Sequence, residues 1–197
     1  MELPIFPLNG AVLFPGTNLP LNIFEKRYIE MVDYALSKER CIGMIQSDEK
    51  NNLYNIGCIG KIHSFNETAD GRYLISLQGT NCFKIKKELQ KSYNFRLIKA
   101  EILDFKEDKN YIDENEKNVL LQKYRRYIKV KNIDLNIGEI QNIDINQIIK
   151  FIAMISPFSD IEKQVLLETK NLNEFYDKLR SILELEIVED NNNKTLN

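Results

Sequence analysis

Tryptophan is absent from the 197 residues, and histidine occurs once, at His63. A Ser-His-Asp triad or a Cys-His pair would have to use that single imidazole, which falls in the middle of a stretch suited to a strand, so nucleophilic catalysis has little to build on. Cysteine is almost as scarce: Cys41, Cys58 and Cys82 are widely spaced and form no Cys-x-x-Cys pair. This spacing argues against a disulfide framework and against a structural zinc, and it fits reduced thiols in a cytoplasmic protein. Neither sign of charge dominates. Lys and Arg number 27 and Asp and Glu 29, giving a net charge of −2 and a sequence pI of about 5.6, so no global field recruits nucleic acid or acidic lipid. No apolar run approaches the ~20 residues of a membrane span. The Met-Glu-Leu-Pro start has no basic region ahead of an apolar core, so no secretory leader is expected. Gly57-Cys58-Ile59-Gly60-Lys61 is too short for a phosphate-binding G-x-x-x-x-G-K and runs on into Ile62, not Ser or Thr. No catalytic residue, metal or cofactor is expected, and no carboxylates pair at a spacing that suggests acid/base work.

Proline and glycine are present where they matter most. Residues 3–28 hold four of the five prolines and two of the eight glycines among nearly continuous apolar side chains. Pro4, Pro7, Pro15 and Pro20 cut that sequence into short extended pieces, because proline fixes φ, lacks a donor and pushes the preceding residue toward the β region. Pro15-Gly16 reads as a turn. Asn22 and Glu25 have the spacing of a capping box ahead of a helix over 24–36, with Tyr28, Met31, Val32, Ala35 and Leu36 on its apolar stripe. Residues 41–45 predict a short buried strand, 47–55 a polar loop, and 56–65 a second strand in which Gly57 and Gly60 mark a bulge or a close backbone approach. Thr68-Ala69-Asp70-Gly71 predicts a hairpin turn into a strand over 72–77, Gly79-Thr80 a further turn into 82–85, and 95–105 a last strand.

Around 106–116 the texture becomes charged, and beyond it the period is helical. Val119, Leu120, Tyr124, Tyr127 and Ile128 define one helix face, 132–142 a loop, and Ile145, Ile148, Ile149, Ile152 and Ile155 a second face ended by Ser156-Pro157. Ser159 and Glu162 form a capping box for 161–168, and Phe175, Leu179, Ile182, Leu183 and Ile187 line a final helix. The fold class expected is α+β: a β-rich subdomain over 1–105 with one embedded helix, a helical subdomain over 106–188, and a flexible tail over 189–197.

Two stretches carry a possible link to nucleic acid. Gly57 to Gly60 matches the G-x-x-G of an RNA-binding loop, but its middle residues are apolar and its flanks read as strand. Residues 122–131 interleave bases with tyrosines. On a helix, Tyr124, Tyr127 and Ile128 share the buried stripe while Lys123, Arg126 and Lys129 face water, which is how an ordinary solvated helix looks.

The segments Leu3-Pro4-Ile5-Phe6-Pro7-Leu8, Leu13-Phe14-Pro15-Gly16 and Ile23-Phe24-Glu25-Lys26-Arg27-Tyr28 occur in the order and separation of the Lon protease N-terminal domain family, which this chain resembles. The resemblance continues through Ile56 to Ile62, Asp70-Gly71-Arg72-Tyr73, Leu77-Gln78-Gly79, Phe83 and Glu162 to Glu168, and so covers most of residues 2–187. Two positions depart from it: Lys26 stands where many members have proline, and Cys82 where many have arginine. The resemblance implies a PUA-like β-rich pseudo-barrel followed by a helical bundle, agreeing with the reading from the residues. It also implies a non-enzymatic module that engages protein or peptide segments beside a protease or chaperone. A chain of 197 residues leaves no room for the family's ATPase and Ser-Lys protease domains. The family-motif residues Pro7, Phe14, Pro15, Gly16, Pro20, Phe24, Glu25, Arg27, Tyr28, Gly71, Gly79 and Phe83 are expected to be mainly structural, the phenylalanines filling core. The alternative is a PUA-like RNA-binding protein that uses either Lys84, Lys86 and Lys87 or the helix of 123–131, with Lys123, Arg125, Arg126 and Lys129 as contacts.

Overall fold

The computed structural model describes residues 1–48, 50–105, 112–135, 138 and 143–195, with side chains described as far as 188. It resolves into two compact units, one made of Met1–Phe105 with Pro157–Glu168 and the other of Lys106–Ser156 with Thr169–Asn197. Parts of the charged stretch at 106–116 and of the loop at 132–142 lie outside the described residues.

The first unit contains β1 (Glu2–Pro7), β2 (Asn18–Ile23), α1 (Lys26–Leu36), β3 (Cys41–Ile45), β4 (Ile56–Glu67), β5 (Tyr73–Leu89), β6 (Arg96–Leu103) and α4 (Asp160–Leu167). The strands run in the order β2-β5-β4-β3-β1-β6, and β5 also pairs with β6. Five strands therefore close on themselves as a pseudo-barrel, while β2 stands outside it as an edge. Only β1 and β3 pair in parallel, with Ile5 opposite Gly43, and the crossover between them carries β2 and α1. Leu3, Ile5, Ile45, Ile59, Phe83, Ile98 and Ala100 fill the interior. Each large apolar side chain taken out of water contributes about 1.5–3 kcal/mol before the entropy of ordering is subtracted. α1 covers the other side of β1, where the Phe6 and Tyr28 rings lie 4.3 Å apart.

The turn expected at Gly79-Thr80 is not there. β5 is one strand of 17 residues. What Gly79 provides is room: a Cβ on it would lie 2.1 Å from the Phe14 carbonyl oxygen. The Pro15-Gly16 turn docks at this point, Gly16 N–H donating to the Gly79 carbonyl and Gly79 N–H to the Thr17 carbonyl, each at 2.8 Å. Gly16 adopts φ 84°, which a residue with a Cβ reaches only at a cost. Thr17 closes the turn by donating its hydroxyl to the Phe14 carbonyl at 2.8 Å.

The capping box expected at Asn22 and Glu25 does not form either. Asn22 is still in β2, opposite Leu74, and Glu25 caps α1 without a side-chain bond. Its carboxylate instead accepts from the Arg27 guanidinium at 2.9 Å. The box at Ser159 and Glu162 is formed in both directions.

α4 packs on the sheet through polar groups. The Gln46 amide donates to the Asp160 carbonyl at 3.1 Å and to Gln164 Oε1 at 3.0 Å, and the Gln164 amide donates to the Ile56 carbonyl at 3.1 Å. Lys163 Nζ donates to the Gly10 carbonyl at 3.2 Å, and Gly10 N–H to Asp160 Oδ1 at 3.0 Å. Burial pushes the Lys163 ammonium below its ordinary pKa.

In the second unit α2 (Glu114–Val130), α3 (Ile145–Ile155) and α5 (Leu172–Thr195) pack together. Asp113 and Asp144 cap α2 and α3 by accepting backbone N–H groups, each with Glu116 or Gln147 three residues further on in the sequence. Val119 and Ile155 turn outward from the stripes expected of them, and Leu121 and Ala153 are buried in their stead. α5 carries the chain through 189–195, where apolar periodicity has ended, because extending a packed helix is far cheaper than starting one.

Gly79→Ala should lower unfolding free energy in urea by about 3 kcal/mol, the range of a core overlap. Gly10→Ala, with nothing within 4 Å of the new methyl group, should cost only the ~1–2 kcal/mol of its positive φ. Leucine at Gln46 and Gln164, singly and together, should give strongly non-additive losses. Either single change breaks the bond between the two side chains and that side chain's bond to a backbone carbonyl, at about 1–3 kcal/mol, and the double change loses the shared bond only once.

Candidate protein-binding surface

β3 pairs with β4 only from Cys58 to Lys61, and β6 pairs with β5 only from Cys82 to Leu89. Beyond those limits β4, β5 and β2 continue as a three-stranded sheet of their own. Apolar side chains are left on both faces of it. Phe65, opposite Ile75, is 41% exposed, and its ring meets Tyr73 edge-on at 4.9 Å. Leu74, on the opposite face between Asn22 and Asn66, is 42% exposed.

Phe24 is 68% exposed, which overturns its expected place in the core. Leu19 and Ile23 take the inward positions of β2, so the next residue in the alternation turns outward. The open backbone of the β2 edge is interrupted at its centre. Proline fits an edge strand with its donorless nitrogen toward the open side, so Pro20, opposite Ser76, removes the middle donor of a six-residue edge.

The hairpin at the end of this sheet is held by Asp70. Arg72 Nε donates to Asp70 Oδ2 at 2.7 Å, and the Thr68 hydroxyl donates to Oδ1 at 2.5 Å. Gly71 supplies the left-handed position with φ 78°. These bonds, Arg72's first, pull the Asp70 carboxyl down to about 2.

A separate groove of about 430 Å³ lies beside β1, with Ile5, Tyr28 and Phe95 among its apolar lining and Arg27 and Arg96 among its polar lining. Both guanidinium groups are already engaged, Arg27 by Glu25 and Arg96 by Glu88 in a two-point contact at 2.8 and 2.7 Å. On α4, Ile161 and Val165 share one exposed face.

The remaining motif residues serve the scaffold. Pro7 ends β1, Phe14 and Phe83 are buried, Pro15 enters the docked turn, and Arg27 lies 4.5 Å over the Tyr28 ring. Gly57 and Gly60 sit inside β4, not in a loop between helices, and His63 is exposed on the same strand. Lys123, Arg125, Arg126 and Lys129 are all on α2, where Arg125, Arg126 and Lys129 are exposed and Lys123 pairs with Glu184; Lys131, which caps the helix, pairs with Glu186 at 2.6 Å. Both acids come from α5, a pairing no local sequence signal announces. Lys86 likewise pairs with Glu101 across β5 and β6.

The fold is a closed pseudo-barrel with apolar side chains exposed on a projecting sheet, and a helical unit. The model of the ATP-dependent protease La (LON) substrate-binding domain matches residues 2–185, and the chain belongs to that family. It is 27% identical over 201 residues to the Lon protease of Buchnera aphidicola subsp. Baizongia pistaciae (strain Bp), covering 95% of this chain and 25% of the relative. With the Lon protease of Escherichia coli (strain K12) the identity is 25% over 201 residues, with the same coverage. The chain thus spans about a quarter of the length of these curated relatives. Among solved structures, the Lon N-terminal domain protein from Xanthomonas campestris superposes with a TM-score of 0.66 at 19% identity, covering 93% of this chain and 98% of the other. The N-terminal domain of Mycobacterium avium complex Lon protease gives 0.69 at 16%, covering 95% and 98%. Both likenesses concern the fold. No described helix is long and apolar enough to cross a membrane.

Asp70 has a folded pKa below its ordinary 3.8, so its contribution to the hairpin is complete above 3.8 and is lost as pH falls through about 2. A carboxyl-detected NMR titration should show Asp70 midway near 2, and Arg72→Gln should move that midpoint upward.

Proposed function

We propose that this chain is a non-enzymatic module that binds unfolded or extended segments of other proteins through the side chains of its projecting sheet. The observation that carries the reading is Phe24, 68% exposed at the end of β2. Ile23, the residue before it, pairs with Tyr73, which brings Phe24 to the same corner of the sheet as Leu74. Leaving such groups in water forgoes about 1.5–3 kcal/mol each, and clustered exposure of this kind marks interaction surfaces. The family description, which names substrate binding, and the protease relatives support protein as the ligand. The role fits a cytoplasmic companion of a protease or chaperone.

Recognition rests on side chains. The Pro20 edge offers no continuous row of donors for a client strand, so extended segments lie across the sheet face instead of joining its ladder. Side-chain contact of this sort is tolerant of sequence, as a binder of unfolded chains requires. The RNA-binding reading is weaker, because the net charge is −2 and carboxylates of α5 engage Lys123 and Lys131.

A double variant, Phe24→Ser with Leu74→Ser, should bind a reduced, carboxymethylated test protein about tenfold more weakly in fluorescence anisotropy, the loss of ~1.4 kcal/mol. Its melting temperature should stay near that of the parent. Arg125→Glu with Arg126→Glu should leave that binding unchanged. Unaltered affinity in the first variant would sink the proposal, and salt-sensitive RNA binding abolished in the second would install the alternative.

A further inference from the structure

Cys58 and Cys82 are direct cross-strand partners in the β4–β5 ladder. The phase of that ladder follows from one bond, Ile85 N–H donating to the Asn55 carbonyl at 2.9 Å. Asn55 and Ile85 are therefore a hydrogen-bonded pair, and pairs alternate along antiparallel strands. Ile56 with Lys84 is then non-bonded, Gly57 with Phe83 bonded, and Cys58 with Cys82 non-bonded. At a non-bonded pair the Cα atoms approach to about 4.5 Å with side chains on one face, inside the roughly 4.4–6.8 Å that a disulfide spans.

The surroundings suit reversible oxidation. Phe83 turns into the barrel, so its neighbours Cys82 and, across the ladder, Cys58 turn out toward α4. There Cys82 Sγ donates to the Leu167 carbonyl at 3.6 Å. Cys82 is half-buried and Cys58 fully buried, which separates a thiol that a small reagent reaches from one that it does not. Cys41 stands apart on β3 opposite Lys61, and burial raises its pKa.

We propose that Cys58 and Cys82 are a thiol-oxidation site that closes to an intramolecular disulfide by exchange with a small oxidised thiol of the glutathione class. The Cys82 thiolate attacks the reagent's disulfide, forming a mixed disulfide and expelling one thiolate, which takes up a proton. The Cys58 thiolate then attacks Cys82 Sγ and expels the second thiol. Two protein thiols are oxidised and one reagent disulfide is reduced to two thiols. The product no longer has the Cys82 S–H that reaches Leu167, so the last turn of α4 loses that contact with the sheet.

The test is incubation of the native chain with oxidised glutathione, followed by thiol titration in denaturant and peptide mapping. The expected result is loss of two of the three titratable thiols, a peptide linking Cys58 to Cys82, and full reversal by dithiothreitol. Cys41→Ser should form the same link, while Cys82→Ala should form none. A stable glutathione adduct on Cys82 without closure, a link involving Cys41, or no reaction in the folded protein would each overturn the proposal. Because the mapping is done on the unaltered chain, it stands even if Cys82→Ala fails to fold.

Discussion

The constraint on which this fold turns is the approach of the Phe14 carbonyl to Gly79. β5 can serve the closed barrel with one half and the projecting sheet with the other only if it runs unbroken between them, and the chain that joins β1 to β2 must cross it at that junction. Two backbone hydrogen bonds fasten the crossing, and the absence of a side chain on Gly79 makes it possible. The position of β2 depends on the crossing, and Phe24 is placed by β2. The corner proposed for client binding is thus set from the barrel side, by a contact with no ligand role of its own.

Much of this architecture was legible in the residues. Proline spacing marked β1, β2 and the turn between them, helical stripes marked α1, α2, α3 and α5, and Ser159 with Glu162 marked the start of α4. Local pattern failed where a residue's role is set by something distant in sequence. Gly79 has the chemistry of a turn residue, and only the Phe14 backbone, 65 positions earlier, makes it a strand residue. Asn22 and Glu25 have the spacing of a cap, yet pairing with Leu74 keeps Asn22 in a strand. Gln46 and Gln164 are nearly inaccessible polar groups whose burial is explained by each other and by the carbonyls of Asp160 and Ile56, all but Ile56 more than 100 positions from Gln46.

The surface was less legible than the scaffold, for a related reason. A phenylalanine within a run of apolar residues looks like core, and Phe6 and Phe14 are core. Phe24 differs from them only in falling on the outward beat of β2. Likewise Lys123 and Lys131 look like free bases until Glu184 and Glu186 of α5 are set against them. Exposure is a property of the assembled elements, and no single segment encodes it.

Pro20 has a kinetic consequence. A client zipped to a sheet edge by several main-chain bonds would leave slowly and would present a fresh edge to the next chain, seeding growth of a shared sheet. With the middle donor missing, a bound segment is held by packing alone and departs in one step, leaving nothing on which a second can template. On the proposed reading, brief residence of a bound segment follows from a single imino acid in the edge strand.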